Sequence, residues 1–481
     1  MTTNFIFDIY FTLPELYLVI SIFVLLVFGV LVSGSKNLGY PLISKVTGLI
    51  SIQILILTFI LLIWFPYFNF FSWNYFFTTN LFVLSSKVII IISSILWTYF
   101  SITYIITEKV NSYEYWILIL LAVLALLCLL QVYDLLTLYL LIEFQSLSFY
   151  VLASFNRTSE FSTEAGLKYF VLGAFASAFL LFGSSIIYGF TGLTNFADLN
   201  TFFTGFIKED LFSVSGTLVG LIFILSALLF KLTAAPFHMW APDVYEGSPT
   251  STTAFFAIFP KLVIITLLLR IFFLSFHDFF STWKYLFLLC SFLSLLFGSL
   301  GALAQKNEKR FLAYSSINHI GYILIGFLLG EPFGIISIIL YLIIYIITSF
   351  AIFSFLISLR LYEYPQWSQI RYLNEVTGLS KTNPLLALSL LLILFSMAGI
   401  PPLSGFFAKV FILLSGVRGS AYGLVLIAVI LSSISCFYYI RIIQLTYFSN
   451  LKKWPLLYPI EKSTSLVLGS SCYFLLFFFW T

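Results

Sequence analysis

The chain is dominated by long apolar stretches, each close to the length that crosses a lipid bilayer. Hydrophobic residues make up 61% of its 481 positions and charged residues only 9%, whereas a soluble domain carries about 25% charged residues. A helix needs about 20 consecutive apolar residues to cross the hydrocarbon core. We therefore interpret the chain as a polytopic membrane protein.

Polar, proline and glycine clusters divide the chain into fourteen predicted spans. They lie near 14–33, 44–66, 81–106, 115–133, 134–155, 165–190, 213–236, 250–275, 284–304, 310–329, 333–359, 384–414, 421–445 and 463–480. These stretches are about twice as long as the strands of a membrane barrel, and backbone groups in lipid must be satisfied within the segment. The predicted fold class is an all-α polytopic membrane protein.

The cations fall unevenly on the two sides of the predicted membrane. One side carries fifteen of them in loops and at helix ends: Lys36, Lys45, Lys109, Arg157, Lys168, Lys306, Lys309, Arg310, Arg360, Arg371, Lys381, Arg441, Lys452, Lys453 and Lys462. The other side carries four: Lys208, Arg270, Lys284 and Arg418. By the positive-inside rule the first side faces the cytoplasm or its organellar equivalent, and both termini face the opposite side.

Four charged residues lie deep inside predicted spans: Glu143, Lys231, Lys261 and Lys409. A charged side chain at the bilayer centre costs at least about 2.5–3.5 kcal/mol, so such residues indicate a function by default. Lys87 lies only about six residues into its span, and we expect its ammonium group to snorkel to the nearby interface. The four deep charges predict a charge pathway through the membrane.

Glu143 and Lys231 are predicted partners. A buried carboxylate and a buried ammonium group both lose hydration, so each is stabilised by the other, and Lys231 is the first deep cation downstream of Glu143. The alternative is a static ion pair that only fixes helix packing. The sequence offers no second acid at comparable depth, so Lys261 is the lysine predicted to change its protonation state.

Two spans are interrupted by proline. Pro236 follows Lys231 by five residues in the seventh span, and Pro401 and Pro402 precede Lys409 in the twelfth. Proline removes a helical hydrogen bond, and broken helices at corresponding positions of two halves point to an ion site near the midplane. A plain proline kink is the alternative for either break alone, but two breaks with a lysine nearby favour ion translocation.

The two halves of the chain have the same order of spans. Spans four to eight and spans nine to thirteen each form a block of five helices, with the broken helix fourth in each block. An odd number of helices inverts the second block relative to the first, which is a transporter architecture. The predicted organisation is a three-helix region (1–114), a first five-helix repeat (115–275), a second repeat (284–445) and a C-terminal helix (446–481).

A polar row occupies the middle of the tenth predicted span. It consists of Ser315, Ser316, Asn318 and His319. Hydroxyl, amide and imidazole groups can hold a chain of water molecules between distant lysines. We treat the four residues as relay candidates, and the alternative is hydrogen bonding that only holds neighbouring helices together.

Several classes of function are disfavoured. The sequence has no GxGxxG or GxxxxGK[ST] motif and no polar segment long enough for a soluble domain. Its four cysteines are scattered singly and its three histidines are dispersed, so we expect no metal, haem or other bound cofactor. We expect lipid and not nucleic acid around the chain. No cleavable signal or transit peptide is recognised, and the Phe-rich composition is typical of an A+T-rich organellar genome.

Four long stretches closely resemble the subunit 2 family of respiratory complex I. They are LLIEFQSLSFYVLASF (140–155), TEAGLKYFVLGAFASAFLLFGSSIIYG (163–189), FKLTAAPFHMWAPDVYEGSPTSTTAFFAIFPK (230–261) and FSMAGIPPLSGFFAK (395–409). The wider family includes the other antiporter-like subunits of complex I and subunits of sodium/proton antiporters. Two features favour subunit 2. One is the motif PFHMWAPDVYEG (236–247), and the other is Lys409, at a position where subunit 4 relatives have glutamate. A sodium/proton antiporter subunit is the alternative.

This resemblance implies a proton-translocating subunit in the membrane arm of NADH:ubiquinone oxidoreductase. Glu143 would pair with Lys231, Lys261 would lie at the centre of the proton pathway, and Lys409 would face the next antiporter-like subunit. Flavin, iron–sulfur clusters and ubiquinone would be bound by other subunits and not by this chain. The implied partners are other complex I membrane subunits, including the subunit 4 neighbour and the small subunit 4L. The implied location is the mitochondrial inner membrane, with a bacterial plasma membrane or a thylakoid as alternatives.

Overall fold

The computed structural model describes residues 2–35, 41–64, 69–108, 112–204, 211–363, 366–449 and 457–478. Five of the cations used to predict orientation lie outside the described residues. They are Lys36, Lys109, Lys208, Lys452 and Lys453.

The described part of the chain is built almost entirely from helices. The α-helices are α1 (Thr2–Phe11), α2 (Leu13–Ser33), α3 (Ser44–Ile63), α4 (Leu81–Thr107), α5 (Glu114–Gln131), α6 (Leu135–Ala153), α7 (Glu160–Thr191), α8 (Phe196–Thr204), α9 (Leu211–Leu232), α10 (Trp240–Gly247), α11 (Thr250–Arg270), α12 (Phe280–Ala304), α13 (Glu308–Ile325), α14 (Pro332–Ser358), α15 (Leu379–Thr382), α16 (Pro384–Ala398), α17 (Ser404–Arg418), α18 (Tyr422–Phe448) and α19 (Lys462–Phe477). Two antiparallel hairpins accompany them: β1 (Phe70–Ser72) with β2 (Phe77–Thr79), and β3 (Arg360–Glu363) with β4 (Gln366–Gln369).

Within these ranges, twelve helical segments are long and apolar enough to cross a membrane. The predicted span 384–414 is divided between α16 and α17, and the predicted span 463–480 corresponds to α19. These three helices are 15 to 16 residues long. The all-helical polytopic fold class is therefore confirmed, whereas the total of fourteen spans, the inverted repeats and the four predicted regions stay predictions.

Both predicted helix breaks are present. Helix α9 ends at Leu232, and residues 233–239, which include Pro236, separate it from α10. Pro236 has no amide hydrogen for the carbonyl of Leu232, four residues earlier, so the helix cannot continue through it. Helix α16 ends at Ala398, and Pro401 and Pro402 lie between it and the start of α17.

The chain divides into two compact units. The first unit consists of Met1–Lys231 and Phe259–Phe279, and the second of Leu232–Ile258 and Phe280–Thr481. Glu143, Lys231 and Lys261 lie in the first unit. Lys409 and the polar row of α13 lie in the second.

An aromatic cluster ties the helices of the first unit together. The rings of Trp97 on α4 and Trp116 on α5 are 6.4 Å apart, and both side chains are fully buried. The indole nitrogen of Trp116 donates to the carbonyl of Ser44 at the start of α3, at 2.8 Å. A buried indole N–H needs such a partner, so this bond fixes the orientation of α5 against α3.

Helix α13 lies inside the second unit, and nearly all of its residues are buried. It packs closely on α12, where glycine permits the approach. A Cβ atom at Gly298 of α12 would lie 2.6 Å from the backbone nitrogen of Asn318. The absence of a side chain at Gly298 therefore brings the backbone of α12 against the polar row.

Candidate functional site

Glu143 lies in the middle of α6, whose first turn is capped by Asp134. The Asp134 carboxylate accepts a hydrogen bond from the amide of Leu136 at 2.7 Å and another from the hydroxyl of Thr194 at 2.6 Å. A capping carboxylate satisfies an amide that the helix itself leaves without an acceptor. Glu143 is half-buried, and its Oε2 accepts from the hydroxyl of Ser146 at 3.2 Å.

Lys231 lies in the last turn of α9, next to the helix break. Its side chain is 8% exposed, and its Nζ has no hydrogen-bond partner among the described residues. Nζ lies 5.8 Å from the ring centroid of Tyr150, a distance at which a cation is attracted to the ring face. Glu143 acts on Lys231 electrostatically, but no direct bond joins them. The predicted partners therefore interact through space.

Lys261 lies within α11 and is 2% exposed. Its helix is anchored nine residues further on by Arg270. The Arg270 Nη2 donates to Thr78 Oγ1 at 2.6 Å, and Nη1 donates to the carbonyl of Leu130. The guanidinium also lies over the ring of Tyr133, at 5.9 Å from its centroid. These contacts fix the end of the helix that carries Lys261.

Lys87 does not snorkel, so that prediction was wrong. Its side chain is 1% exposed and its Nζ lies 2.5 Å from Oε1 of Glu15. The Gln131 side chain donates to the same oxygen at 3.4 Å. Glu15 lies on α2, 72 residues earlier in the chain. A hydropathy pattern is local, so it could not predict this partner for Lys87. The first unit thus contains a buried ion pair outside the predicted charge pathway.

Lys409 of α17 is bonded at the second helix break. It is 7% exposed, and its Nζ donates to the carbonyl of Ala398 at 2.8 Å. Ala398 is the last residue of α16, where the carbonyl dipoles favour a cation. The next residue, Gly399, has φ +82°, and a Cβ atom there would lie 2.8 Å from Cδ of Lys409. The break therefore provides both the acceptor and the space for the lysine.

The polar row of α13 is buried throughout. Ser315, Ser316, Asn318 and His319 are between 1% and 6% exposed. The two serine hydroxyls donate to carbonyls one turn back on the same helix, at 2.8 and 2.7 Å. His319 instead reaches α14, where its Nδ1 lies 2.7 Å from the hydroxyl oxygen of Tyr341.

Two narrow cavities in the second unit lie beside the polar row of α13, and Lys409 lines the first of them. Their walls have His319, Tyr345, Thr348 and Met397 in common. The first also includes Tyr341, Ser396 and Lys409, and the second includes Ser315 and Ser316. Each has room for about one water molecule. The first cavity thus brings His319 of α13 together with Lys409, and the second brings His319 together with Ser315 and Ser316. Asn318 lines neither cavity.

A charged cluster holds α13 against α10. Arg310 forms ion pairs with Asp243, at 2.8 Å, and with Glu246. The Nζ of Lys309 donates to the carbonyl of Ser248 at 2.7 Å. Single exposed ion pairs contribute little, but several charges in one network contribute more. The cluster anchors the first turn of the helix that carries the polar row.

His238 lies in the segment between α9 and α10. Its ring stacks on Phe297 of α12, with centroids 5.4 Å apart and planes 25° apart. The stacked ring holds the segment between α9 and α10 against α12.

Sequence reasoning did not select the tyrosines of α14. Tyr341 and Tyr345 both line the cavity beside Lys409. The hydroxyl of Tyr345 donates to the carbonyl of Ala257 at 3.1 Å. Residues four apart lie on one face of a helix, and two tyrosines at this spacing in an otherwise apolar span were the available signal.

Comparison with known proteins places the chain in one family. Residues 132–435 match the family described as NADH:quinone oxidoreductase/Mrp antiporter, TM. The chain is 43% identical to NADH-ubiquinone oxidoreductase chain 2 of Marchantia polymorpha, over 97% of this chain and 94% of that protein. It is 39% identical to NADH-quinone oxidoreductase subunit N of Parvibaculum lavamentivorans, over 82% of this chain and 79% of that protein.

A solved structure agrees with these sequence matches. The chain is similar to a chain of respiratory complex I from Thermus thermophilus with bound aureothin. The TM-score is 0.77 at 26% identity, and the match covers 96% of this chain and 97% of that chain. The chain belongs to the antiporter-like membrane subunits of NADH:quinone oxidoreductase, in the branch that contains chain 2 and subunit N.

Proposed function

We propose that this chain is a proton-translocating membrane subunit of NADH:ubiquinone oxidoreductase. The observation that carries the proposal is the burial of Lys231, Lys261 and Lys409, each at most 8% exposed, within apolar helices. An ionisable residue inside the membrane is costly, and it is typical of ion and proton pathways. Membership of the antiporter-like family supports the same function.

In the first unit, the coupling would be electrostatic. Glu143 attracts the ammonium group of Lys231 without bonding to it directly. A charge that weakens this attraction would favour release of the lysine proton, because two interacting groups titrate together. Lys261, buried on α11, would accept or donate the proton within the same unit. Its role as the central carrier rests on burial and on the family resemblance.

In the second unit, Lys409 and His319 would exchange protons through the narrow cavity that both line. Ser315 and Ser316 would extend this route along the second cavity. Hydroxyl groups both donate and accept hydrogen bonds, so they can orient the water through which a proton moves. Asn318, on the same helix, would act as a packing residue.

The oxidation of NADH and the reduction of ubiquinone would take place in other subunits. We propose that flavin, iron–sulfur clusters and ubiquinone are bound there, and that this chain contributes no redox group. Electron transfer in those subunits would change a charge at their interface with this chain, and this change would drive proton translocation. Such a change acts locally through electrostatics, and it would alter the protonation of the buried lysines.

The chain is a multi-pass membrane protein of a multisubunit respiratory complex. We further propose that an antiporter-like subunit 4 and the small subunit 4L are among its direct neighbours, with lipid on the remaining apolar surface. We place it in the mitochondrial inner membrane with both termini on the intermembrane-space side. The plant relatives and the uneven distribution of cations support this placement.

Substitution of Lys261 tests the proposed function. Methionine is unbranched like lysine, but it has no group that carries a proton. We therefore expect NADH-driven proton translocation in Lys261→Met to fall by about tenfold or more. The measurement is acidification per NADH oxidised in sealed vesicles, with the assembled complex quantified by native electrophoresis.

Lys168→Met is the matched control for this experiment. Lys168 is a half-exposed lysine on α7 that pairs with the exposed Glu164, one turn earlier on the same helix, at 2.7 Å. Such a pair contributes about 0.5 kcal/mol or less, so translocation should stay normal. Normal translocation in Lys261→Met as well would favour the alternative of static charges that only hold the helices together.

A further inference from the structure

Tyr341 lies beside two of the predicted site residues, His319 and Lys409. Its side chain is 3% exposed, and its hydroxyl oxygen lies 2.7 Å from Nδ1 of His319. Both residues line the cavity that Lys409 lines. The cavity has room for about one water molecule. The side chains of Tyr341, His319 and Lys409 therefore surround one narrow space, and a water molecule in it can bridge their polar groups.

We propose that the hydroxyl of Tyr341 relays a proton between Lys409 and His319, an inference that rests on the proposed proton-translocating function. Lys409 gives a proton to the bridging water, and this water gives a proton to the Tyr341 oxygen. In the same step the original hydroxyl proton passes to Nδ1 of His319. Lysine becomes neutral, the imidazole becomes cationic, and water and tyrosine regain their starting composition. Only O–H and N–H bonds change, and no electrons are transferred.

Packing against a neighbouring ring helps to hold the ring of Tyr341 in place. Its ring stacks on that of Tyr322, with centroids 6.2 Å apart and planes 24° apart. Tyr322 is anchored because its hydroxyl donates to the carbonyl of Ala428 at 3.2 Å. Because its ring is stacked, the hydroxyl hydrogen of Tyr341 moves mainly by rotation about the C–O bond. That rotation is the movement that a relay hydroxyl needs in order to reset.

Other hydroxyls in the same cavity are engaged with backbone acceptors. Thr348 donates to the carbonyl of Tyr345 at 2.9 Å, and Ser396 donates to that of Ile393 at 2.6 Å. The hydroxyl hydrogens of Thr348 and Ser396 therefore point to backbone carbonyls of their own helices and not into the cavity. Tyr341, by contrast, contacts an imidazole, a group that can both take up and release a proton. This difference assigns the relay to Tyr341.

The test is Tyr341→Phe in the intact complex. Phenylalanine keeps the ring and its stacking but removes the relay hydroxyl, so NADH-driven proton translocation should fall by at least about tenfold. The control is Tyr438→Phe on α18. Tyr438 is also 3% exposed, and it packs edge-on against Phe311 outside both cavities. Its substitution should leave translocation unchanged, and an equal loss in both variants would overturn the relay.

A double variant distinguishes a relay from a packing role. If Tyr341 acts through His319, Tyr341→Phe should cause little further loss in a His319→Gln background, because both changes interrupt one route. Glutamine can still bond the tyrosine hydroxyl but cannot take up the proton. Losses that multiply would show that Tyr341 acts independently of His319, which contradicts the proposal.

His319→Gln also keeps the inference testable if Tyr341→Phe does not assemble. We expect the same loss of about tenfold or more from this variant alone, and normal translocation would overturn the relay. Lys409→Met separates this inference from the broader function. If Lys409→Met abolishes translocation and Tyr341→Phe does not, the relay fails and the proposed function stands. If both variants translocate protons normally, the proposed function fails too.

Discussion

Lys87→Met should destabilise the folded chain by about 3–5 kcal/mol, because it leaves a buried carboxylate without its cation. The Lys87 ammonium lies 2.5 Å from the Glu15 carboxylate, and both side chains are almost fully buried. The amide of Gln131, at 3.4 Å from the same oxygen, is a weak substitute for an ammonium group. The measurement is the thermal midpoint of the complex in nanodiscs, with its abundance on native gels.

The double variant Lys87→Met/Glu15→Gln is the matched control. It removes both charges, so no buried carboxylate is left without its cation. The double variant should therefore recover most of the lost stability. A double-mutant cycle with Glu15→Gln gives the coupling energy of the pair. If Lys87→Met alone is as stable as the parent chain, the pair does not hold α2 and α4 together.

Gly405→Ala should destabilise the second unit by about 3 kcal/mol, at the upper end of the range for overpacking. A Cβ atom at Gly405 would lie 1.8 Å from the carbonyl oxygen of Ser396. The obstructing atom belongs to the backbone of α16, so no side-chain rotation can relieve the contact. Helix α17 would have to move away from α16, and Lys409, one turn further along α17, would move with it. We expect less assembled complex and a lower thermal midpoint.

Gly469→Ala provides the comparison. Gly469 lies inside α19, and a Cβ atom there would meet no atom within 4 Å. Alanine at an open helical position should be stabilising by about 0.5–1 kcal/mol, because glycine loses more backbone entropy on folding. Equal behaviour of the two alanine variants would mean that α16 and α17 can separate freely at the break.

The positions of the helices could be predicted from the sequence to within a few residues. The predicted span 81–106 corresponds to α4 (Leu81–Thr107), and 333–359 corresponds to α14 (Pro332–Ser358). A helix in lipid satisfies its backbone within its own segment, so a window of about 20 residues contains nearly all the information. The two breaks were equally local, since proline acts on the carbonyl four residues earlier.

The candidate site could be predicted only in part. The depth of Lys261 and Lys409 in their spans marked them as unusual, and both are buried in the structure. The bond from Lys409 to Ala398 and the contact of His319 with Tyr341 could not be predicted. They depend on the rotation of each helix about its axis and on how closely neighbouring backbones approach, which a hydropathy pattern does not encode.

By itself, the sequence determined that this chain is a helical membrane protein with charges at depths where lipid would otherwise surround them. It determined this because the cost of an unsatisfied backbone or a buried charge in hydrocarbon applies residue by residue. Only the tertiary structure decided which charges are neutralised and which stay available. Lys87 meets Glu15 across 72 residues of sequence, whereas Lys231 has no bonded partner among the described residues. Burial is a local cost, but compensation comes from groups that only folding brings together.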